Sequence, residues 1–364
     1  MFDRNKLNIK KLKERKNKIS IEREHISTTA EPEYLSTKAW EAVHEASENI
    51  RRAKNQKAAV ILVFGAHTIK NGMAPVLIKL MKERWVTHLA TNGAGVIHDW
   101  EFAYQGKSSE EVQKNVKNGE FGIWHETGFF LNLAINIGAY EGLGYGKSIG
   151  KLIVNNGLNI PEKTDILELI REQIESKPDR CAAAADLLSI INHFNLQSGF
   201  MKIIHPYKKY SVQASAYKLN IPFTSHPMFG HDIIYNHPMN CGAAVGRTAE
   251  KDFLAFAESV TKLENGVYIS VGSAVMSPMI FEKSLSMAQN IAIQKGQHID
   301  NYKIYVVDIA KSNWDWAKNG EPPKDNPAYY LRYCKTFHRM GGSMEYIRAD
   351  NRSFLLALCQ CFSK

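Results

Sequence analysis

Apolar residues recur along this chain in two rhythms, short continuous runs and steps of three or four. Residues 58–99 show both. The run Ala58–Phe64 meets a small-residue turn at Gly65-Ala66. Ile69, Val76, Leu77, Leu80 and Met81 then fall at helical spacing. A second run, Val86–Ala90, enters the tight cluster Thr91-Asn92-Gly93-Ala94-Gly95. Two buried strands that each stop at a glycine-rich turn predict an open parallel sheet with a crevice at its strand ends. Glycine serves such a turn because a residue without Cβ lets the backbone approach a ligand closely.

The same rhythms predict the remaining elements. Residues 35–54 form an amphipathic helix with Trp40, Val43, Ala46 and Ile50 on one face and Ser36 or Thr37 as cap. Helices are expected over Ser108–Lys117, near 122–140, and twice within 161–196. After a helix over 211–220 comes the short strand IPFTS (221–225), then a polar loop rich in histidine. Thr248–Leu263 reads as helix, VYISV (267–271) as buried strand, and Ser277–Gln294 as helix with Pro278 in its first turn. KIYVVDIA (303–310) and SMEYIRAD (343–350) are the last strands, and Arg352–Phe362 closes the chain as helix. Strand ends thus gather Gly65, Thr91-Asn92-Gly93, Gly272-Ser273-Ala274, Asp308 and Asp350. The expected class is α/β, a parallel sheet flanked by helices. Residues 1–54 are a basic arm plus helix, and 55–364 a single domain with a helical insertion at about 105–200.

Composition bounds what such a fold does. The chain has 364 residues, 44% hydrophobic and 23% charged, which is ordinary globular usage with length for a sizeable core. No apolar stretch approaches a membrane span, and the N-terminus lacks the apolar core of a secretory signal. Five cysteines without CxxC spacing suit a reducing compartment, and the cytoplasm is expected. The net charge of +9 is uneven. Residues 1–18 hold Arg4, Lys6, Lys10, Lys11, Lys13, Arg15, Lys16 and Lys18 against Asp3 and Glu14. No aromatic residue is interleaved after Phe2, so the arm reads as an extension packed on a neighbouring subunit rather than a nucleic-acid arm.

Four patterns bear on chemistry. YEGLGYGKSIGK (140–151) nearly matches a phosphate-binding loop, but Glu141 stands where its first glycine belongs and no strand precedes it. The loop 225–238 carries His226, His231, Asp232 and His237, with His205 upstream. It reads as a polar active-site loop more readily than as a metal site, since the spacing fits no helix face. Asp99 and Glu101, beside His98, are placed either to cap a helix or to bind ribose hydroxyls at the end of the glycine turn. Lys335 sits among Tyr329, Tyr330, Tyr333 and Phe337. It is either a snorkelling lysine or one whose lowered pKa suits imine formation.

Taken in order, FGAHTIKNG, THLATNGAGVIHD, IPFTSHPMFGHDIIY, GSAVMSP and IRADNRS resemble the landmarks of deoxyhypusine synthase and its bacterial relatives, over roughly residues 55–360. The resemblance implies a Rossmann-like sheet that binds NAD, in a homotetramer with no membrane or nucleic-acid partner. It implies transfer of an aminoalkyl group from a small amine through a lysine imine. NAD contacts would fall on Gly65, Ala66, His67, Thr68, Thr91, Asn92, Gly93, Gly95, Asp99, Gly272, Ser273, Ala274, Asp308 and Asp350. Asp232 matches the donor-binding acid and Lys335 the imine-forming lysine, with His231, His98 or His237 as proton shuttle. The chain departs from the pattern at three places. Arg332-Tyr333-Cys334 precedes Lys335, Ser277 or Pro278 stands where the family has a histidine, and Tyr329 replaces an acid. An NAD-binding sensor or scaffold without the chemistry is the alternative, and a metal-dependent hydrolase built on the 226–237 loop a third.

Overall fold

The computed structural model describes residues 2–363. In chain order its strands are β1 (Ile19–Ser20), β2 (Val60–Phe64), β3 (His88–Thr91), β4 (Lys107–Ser108), β5 (Gly157–Ile160), β6 (Gly199–Lys202), β7 (Phe223–Ser225), β8 (Val267–Val271), β9 (Lys303–Asp308) and β10 (Ser343–Arg348). The chain divides into two compact units built from interleaved segments. A helical unit comprises the described residues up to Arg23, Val96–Lys218 and Pro227–Asp252. A sheet unit comprises Glu24–Gly95, Leu219–His226 and the described residues from Phe253 on.

The sheet unit is organised by six parallel strands in the order β10-β9-β8-β2-β3-β7. All five residues of β2 and of β8 are buried, as expected of central strands covered on both faces. At the edge, β10 is only partly buried, at Met344, Tyr346 and Ile347. Ile61, Val63 and Tyr268 face a cluster with Phe256, Val260, Phe281 and Leu285. On the helix Thr37–Asn55, Val43, Ala46 and Ile50 are buried as the periodicity predicts, and Ser36 caps its start by accepting from the Ala39 N–H. The same helix reaches the sheet through Asn49, whose side-chain amide donates to the Tyr305 hydroxyl at 2.6 Å. Starting at β2, the chain builds outward through β3 and β7. It then returns to β8 on the other side and continues to β9 and β10. This is the doubly wound order with its switch point between β2 and β8.

The helical unit centres on the helix His125–Glu141, where Leu131, Leu133, Ala134, Ile135 and Ile137 are all buried. It crosses the helix Tyr145–Asn155 closely, since a Cβ on Gly138 would lie 1.9 Å from the Ser148 hydroxyl. Two antiparallel pairs, β1–β4 and β5–β6, complete this unit.

Several expectations are corrected here. Gly93–Gly95 is not a loop but the first turn of the helix Gly93–Gln105. The helical stretch after Gly65 is two helices, Ala66–Lys70 and Ala74–Lys82, separated at Gly72 with φ +76°. Ser108 ends β4, so the helix expected from it starts at Val112, and the helix expected from Thr248 starts at Gly242. The region 105–200 is not wholly helical, because it contains β4 and β5. The basic arm is partly internal to the helical unit. Leu12 is buried, the Lys10 N–H donates to the Ile123 carbonyl, and Arg15 meets Glu101 in the interior. Among the described residues no helix is long and apolar enough to cross a membrane.

Candidate nucleotide crevice

The strand register sets the site. Phe64 stands level with Thr91 on one side and Val271 on the other, and Val271 is level with Val307. The carboxyl ends of β3, β2, β8 and β9 therefore finish along one line. At the switch point two glycines leave the sheet back to back. The Gly65 N–H donates to the Val271 carbonyl at 3.0 Å. A Cβ on Gly65 would lie 2.2 Å from the Gly272 carbonyl oxygen, so no other residue fits without moving the backbone. Gly272 has φ +57° and is exposed, with no atom within 4 Å of where its Cβ would stand. A ligand can thus meet bare backbone at this point.

The neighbouring residues extend this edge. His67, Ala274, Val275, Ile309 and Arg348 are exposed along it, while Asp308 and Asp350 are half-buried. Thr91 donates from its hydroxyl to the Phe64 carbonyl at 2.8 Å, which ties the end of β3 to β2. Asn92 accepts from the Gly95 N–H at 2.9 Å, and Gly95 packs so near Thr91 that a Cβ would lie 2.3 Å from its hydroxyl. Ser273 accepts from the Ser277 N–H and Asp308 from the Ala310 N–H. Thr68 is fully buried. Asn71 donates to the side-chain oxygen of Asn351 at 2.9 Å, which joins the turn after β2 to the last helix. Beside this edge, residues 311–314 and 326–328 line a cleft of about 430 Å³. These residues fit a dinucleotide in one specific respect: Gly272, held against a Gly65 that has no room for a side chain, presents exposed backbone where any side chain would stand in the way.

The structure puts other predicted residues to different uses. Asp350 caps the helix Asn351–Cys361, accepting from the Arg352 and Ser353 N–H groups and from the Ser353 hydroxyl. Asp99 is buried in the helical unit. It accepts from the Ser211 hydroxyl (2.6 Å), the Val212 N–H (2.8 Å) and the Gln213 side chain (2.9 Å), and so caps the helix Val212–Leu219. Its carboxylate is engaged in the fold on both oxygens. The near-match at 140–151 is likewise closed to a phosphate, because the Asp252 carboxylate accepts the Gly146 N–H at 2.8 Å.

The histidine loop is divided between the units. His226 ends the segment after β7, whereas His231, Asp232 and His237 belong to the helical unit. Among the described residues no three His, Cys, Asp or Glu side chains are arranged to hold a metal ion. His231 is exposed. His237 accepts the Met239 N–H at 3.0 Å, and burial lowers its pKa to about 4. His98 pairs with the Ser108 hydroxyl at 2.7 Å. Asp232 is 8% exposed, and its Oδ2 has no hydrogen-bond partner. Burial raises its pKa to about 6, against an opposing pull from Tyr235 and His231.

Lys335 lies on the short helix Arg332–His338. Its Nζ is 3.2 Å from a Glu321 oxygen and 4.4 Å from the centroid of the Tyr329 ring.

No family model matches this chain, and no curated protein matches it. Solved structures do resemble it. A LOR/SDH protein from Methanococcus maripaludis S2 aligns over 93% of this chain and 72% of its own, at 13% identity and a TM-score of 0.44. AgrE, in a ternary complex with ornithine and NAD+, aligns over 90% of this chain at 15% identity and 0.42. This chain spans only 34% of AgrE. A protein from Entamoeba histolytica described as a deoxyhypusine synthase aligns over 91% of each chain at 12% identity and 0.39. Likeness at this level carries no activity from one chain to another.

His88, Thr224 and Asn351 are functional candidates that stand out only in the structure. His88 looked like one more strand position, and its partners lie 136 and 171 residues away. The one available signal was a histidine inside an otherwise apolar run.

Proposed function

We propose that this chain is an NAD-dependent enzyme acting on a small amine. The observation that carries the proposal is the pair Gly65 and Gly272 at the switch point of a doubly wound parallel sheet. There, packing leaves the buried Gly65 no room for a side chain, and Gly272 beside it presents exposed backbone to a ligand. Gly65, Gly272, Ser273 and Ala274 would line the cofactor, with His67, Asn92 and Asp308 beside them. When bound, NAD would supply a hydride acceptor for a carbon bearing nitrogen. The amine as substrate rests on the resemblance of IPFTSHPMFGHDIIY to the family's donor loop, in which Asp232 matches the donor-binding acid.

Aminoalkyl transfer through Lys335 is the finer form of this proposal. It requires Lys335 to leave Glu321 and lose a proton. The Lys335–Glu321 pair is also the observation that favours the second reading, a cofactor-binding protein without transfer chemistry. Lys335→Ala separates the two. Turnover abolished with NAD affinity intact supports transfer, and unchanged turnover removes the lysine from the mechanism.

The first test is calorimetric titration of the purified chain with NAD+. Binding is expected, and Gly272→Asn should weaken it at least tenfold, about 1.4 kcal/mol, without unfolding the protein. Asparagine tolerates the left-handed conformation while filling the open space. Failure of the unaltered chain to bind NAD+ or NADH overturns the proposal.

A further inference from the structure

A chain of four side chains crosses the sheet unit beneath Phe256. The His88 Nδ1 is 2.7 Å from the Ser259 hydroxyl, and its Nε2 is 2.9 Å from the Thr224 hydroxyl. That same hydroxyl is 3.0 Å from the His226 Nε2. The Phe256 ring stands edge to face against both imidazoles, each with its centroid 5.3 Å away. His88 is 0% exposed, Thr224 2% and His226 7%, while Ser259 is half-buried. The chain therefore runs from near the surface, at Ser259, to His226. His226 follows the carboxyl end of β7, and its N–H donates to the Thr91 carbonyl at 2.9 Å. Every link is a group that can both donate and accept a proton.

We propose that Ser259, His88, Thr224 and His226 form a proton relay between solvent and the carboxyl edge of the sheet, with His226 as its inner terminus. The relay has two settings. In the first, the Ser259 hydroxyl donates to His88 Nδ1, His88 Nε2–H donates to Thr224, and Thr224 donates to His226 Nε2. His226 then carries its proton on Nδ1. In the second every donor is reversed, and His226 Nδ1 is a bare base.

Starting from the second setting, a proton taken at His226 Nδ1 releases the Nε2 proton to Thr224. Thr224 passes its own proton to His88 Nε2, His88 passes its Nδ1 proton to Ser259, and Ser259 gives one to water. One proton enters, one leaves, and the relay ends in the first setting. Running it backward returns the proton. No imidazolium has to persist, which suits the site, since burial lowers the pKa of each histidine to about 3.

Use of this relay in oxidising an amine rests on the NAD reading above, but its existence does not. The experiment is nitrogen-15 NMR of the full chain labelled at histidine, without ligand. The relay requires His88 and His226 to hold opposite neutral tautomers, because Thr224 has one proton to give. It also requires their ring N–H protons to exchange with water faster than global unfolding allows. Thr224→Val should slow that exchange at least tenfold, and Thr224→Ser should restore it. If Thr224→Val does not fold, Ser259→Val cuts the relay at its half-exposed end and should slow exchange likewise. Matching tautomers, or exchange unchanged when the relay is cut, overturns the proposal. Intact relay behaviour with no NAD+ binding would overturn the NAD reading and leave the relay standing.

Discussion

Asp232 shows what one residue reveals about the cost of a site. Its carboxyl caps no backbone N–H of the 3-10 turn Ile233–Asn236, and one oxygen has no partner. Burial raises its pKa from 3.8 to about 6. The native state therefore binds more protons than the unfolded chain between those values. The stability this group contributes is present below about pH 4 and is lost as pH rises through 6. Asp232→Asn removes the titration without changing shape. At pH 7.5 it should stabilise the protein by up to about 3 kcal/mol, and near pH 4 by almost nothing. Urea unfolding at the two pH values measures this, and an equal shift at both would show that Asp232 is not desolvated as described. A buried acid kept at such a cost fits a residue retained for a ligand. Its identity as a candidate was legible in the sequence, through the loop motif around it. The burial of its Oδ2 was not, because that depends on Tyr145, far off in the chain, being brought near it.

At the scale of elements, the N-terminal arm carries the clearest lesson. Its charge run suggested a solvated extension, yet Arg15 and Glu101 form a bidentate pair at 2.8 and 2.7 Å, each side chain 1% exposed. Ser108 and Thr127 donate to the same carboxylate. Burial pushes the Glu101 carboxyl up, and Arg15 more than offsets it, so its pKa is held below the ordinary value. The pair's stabilisation is present above the unfolded pKa and fades as pH falls through the native one. Arg15→Met leaves a buried carboxylate without its counter-charge and should cost about 3–5 kcal/mol, whereas Arg15→Met with Glu101→Leu should recover most of that loss. Urea unfolding of both variants at neutral pH checks the comparison. A double variant no better than the single would mean that the arm is held by its other contacts. Charge counting could not find this pair, because 86 residues separate the partners. By contrast, the helix Thr37–Asn55 was legible almost to the residue, since its apolar face and its Ser36 cap are both local signals.

For the whole molecule, the six-strand sheet was readable because parallel central strands are continuous apolar runs bounded by glycine and polar turns. The second unit was not, because its segments are interleaved with the sheet's and no linker marks the crossings. One partly exposed helix of the sheet unit bears on assembly. On the helix Met276–Ile293, Met279, Met287 and Ile291 are 41–49% exposed and spaced by multiples of four, with Ile293 and Val275 exposed at its two ends. Such a stripe on one helix face suits burial against another copy of the chain. A homotetramer is the proposed state, and native mass spectrometry should find a species of four 41.1 kDa chains. Met287→Glu with Ile291→Glu places two carboxylates in the stripe. It should shift the population to dimers or monomers while the far-ultraviolet circular dichroism stays unchanged, since both side chains already contact solvent. A tetramer that persists in this variant would place the subunit contact on another face. A monomer in the unaltered chain would remove the stripe's role in assembly altogether.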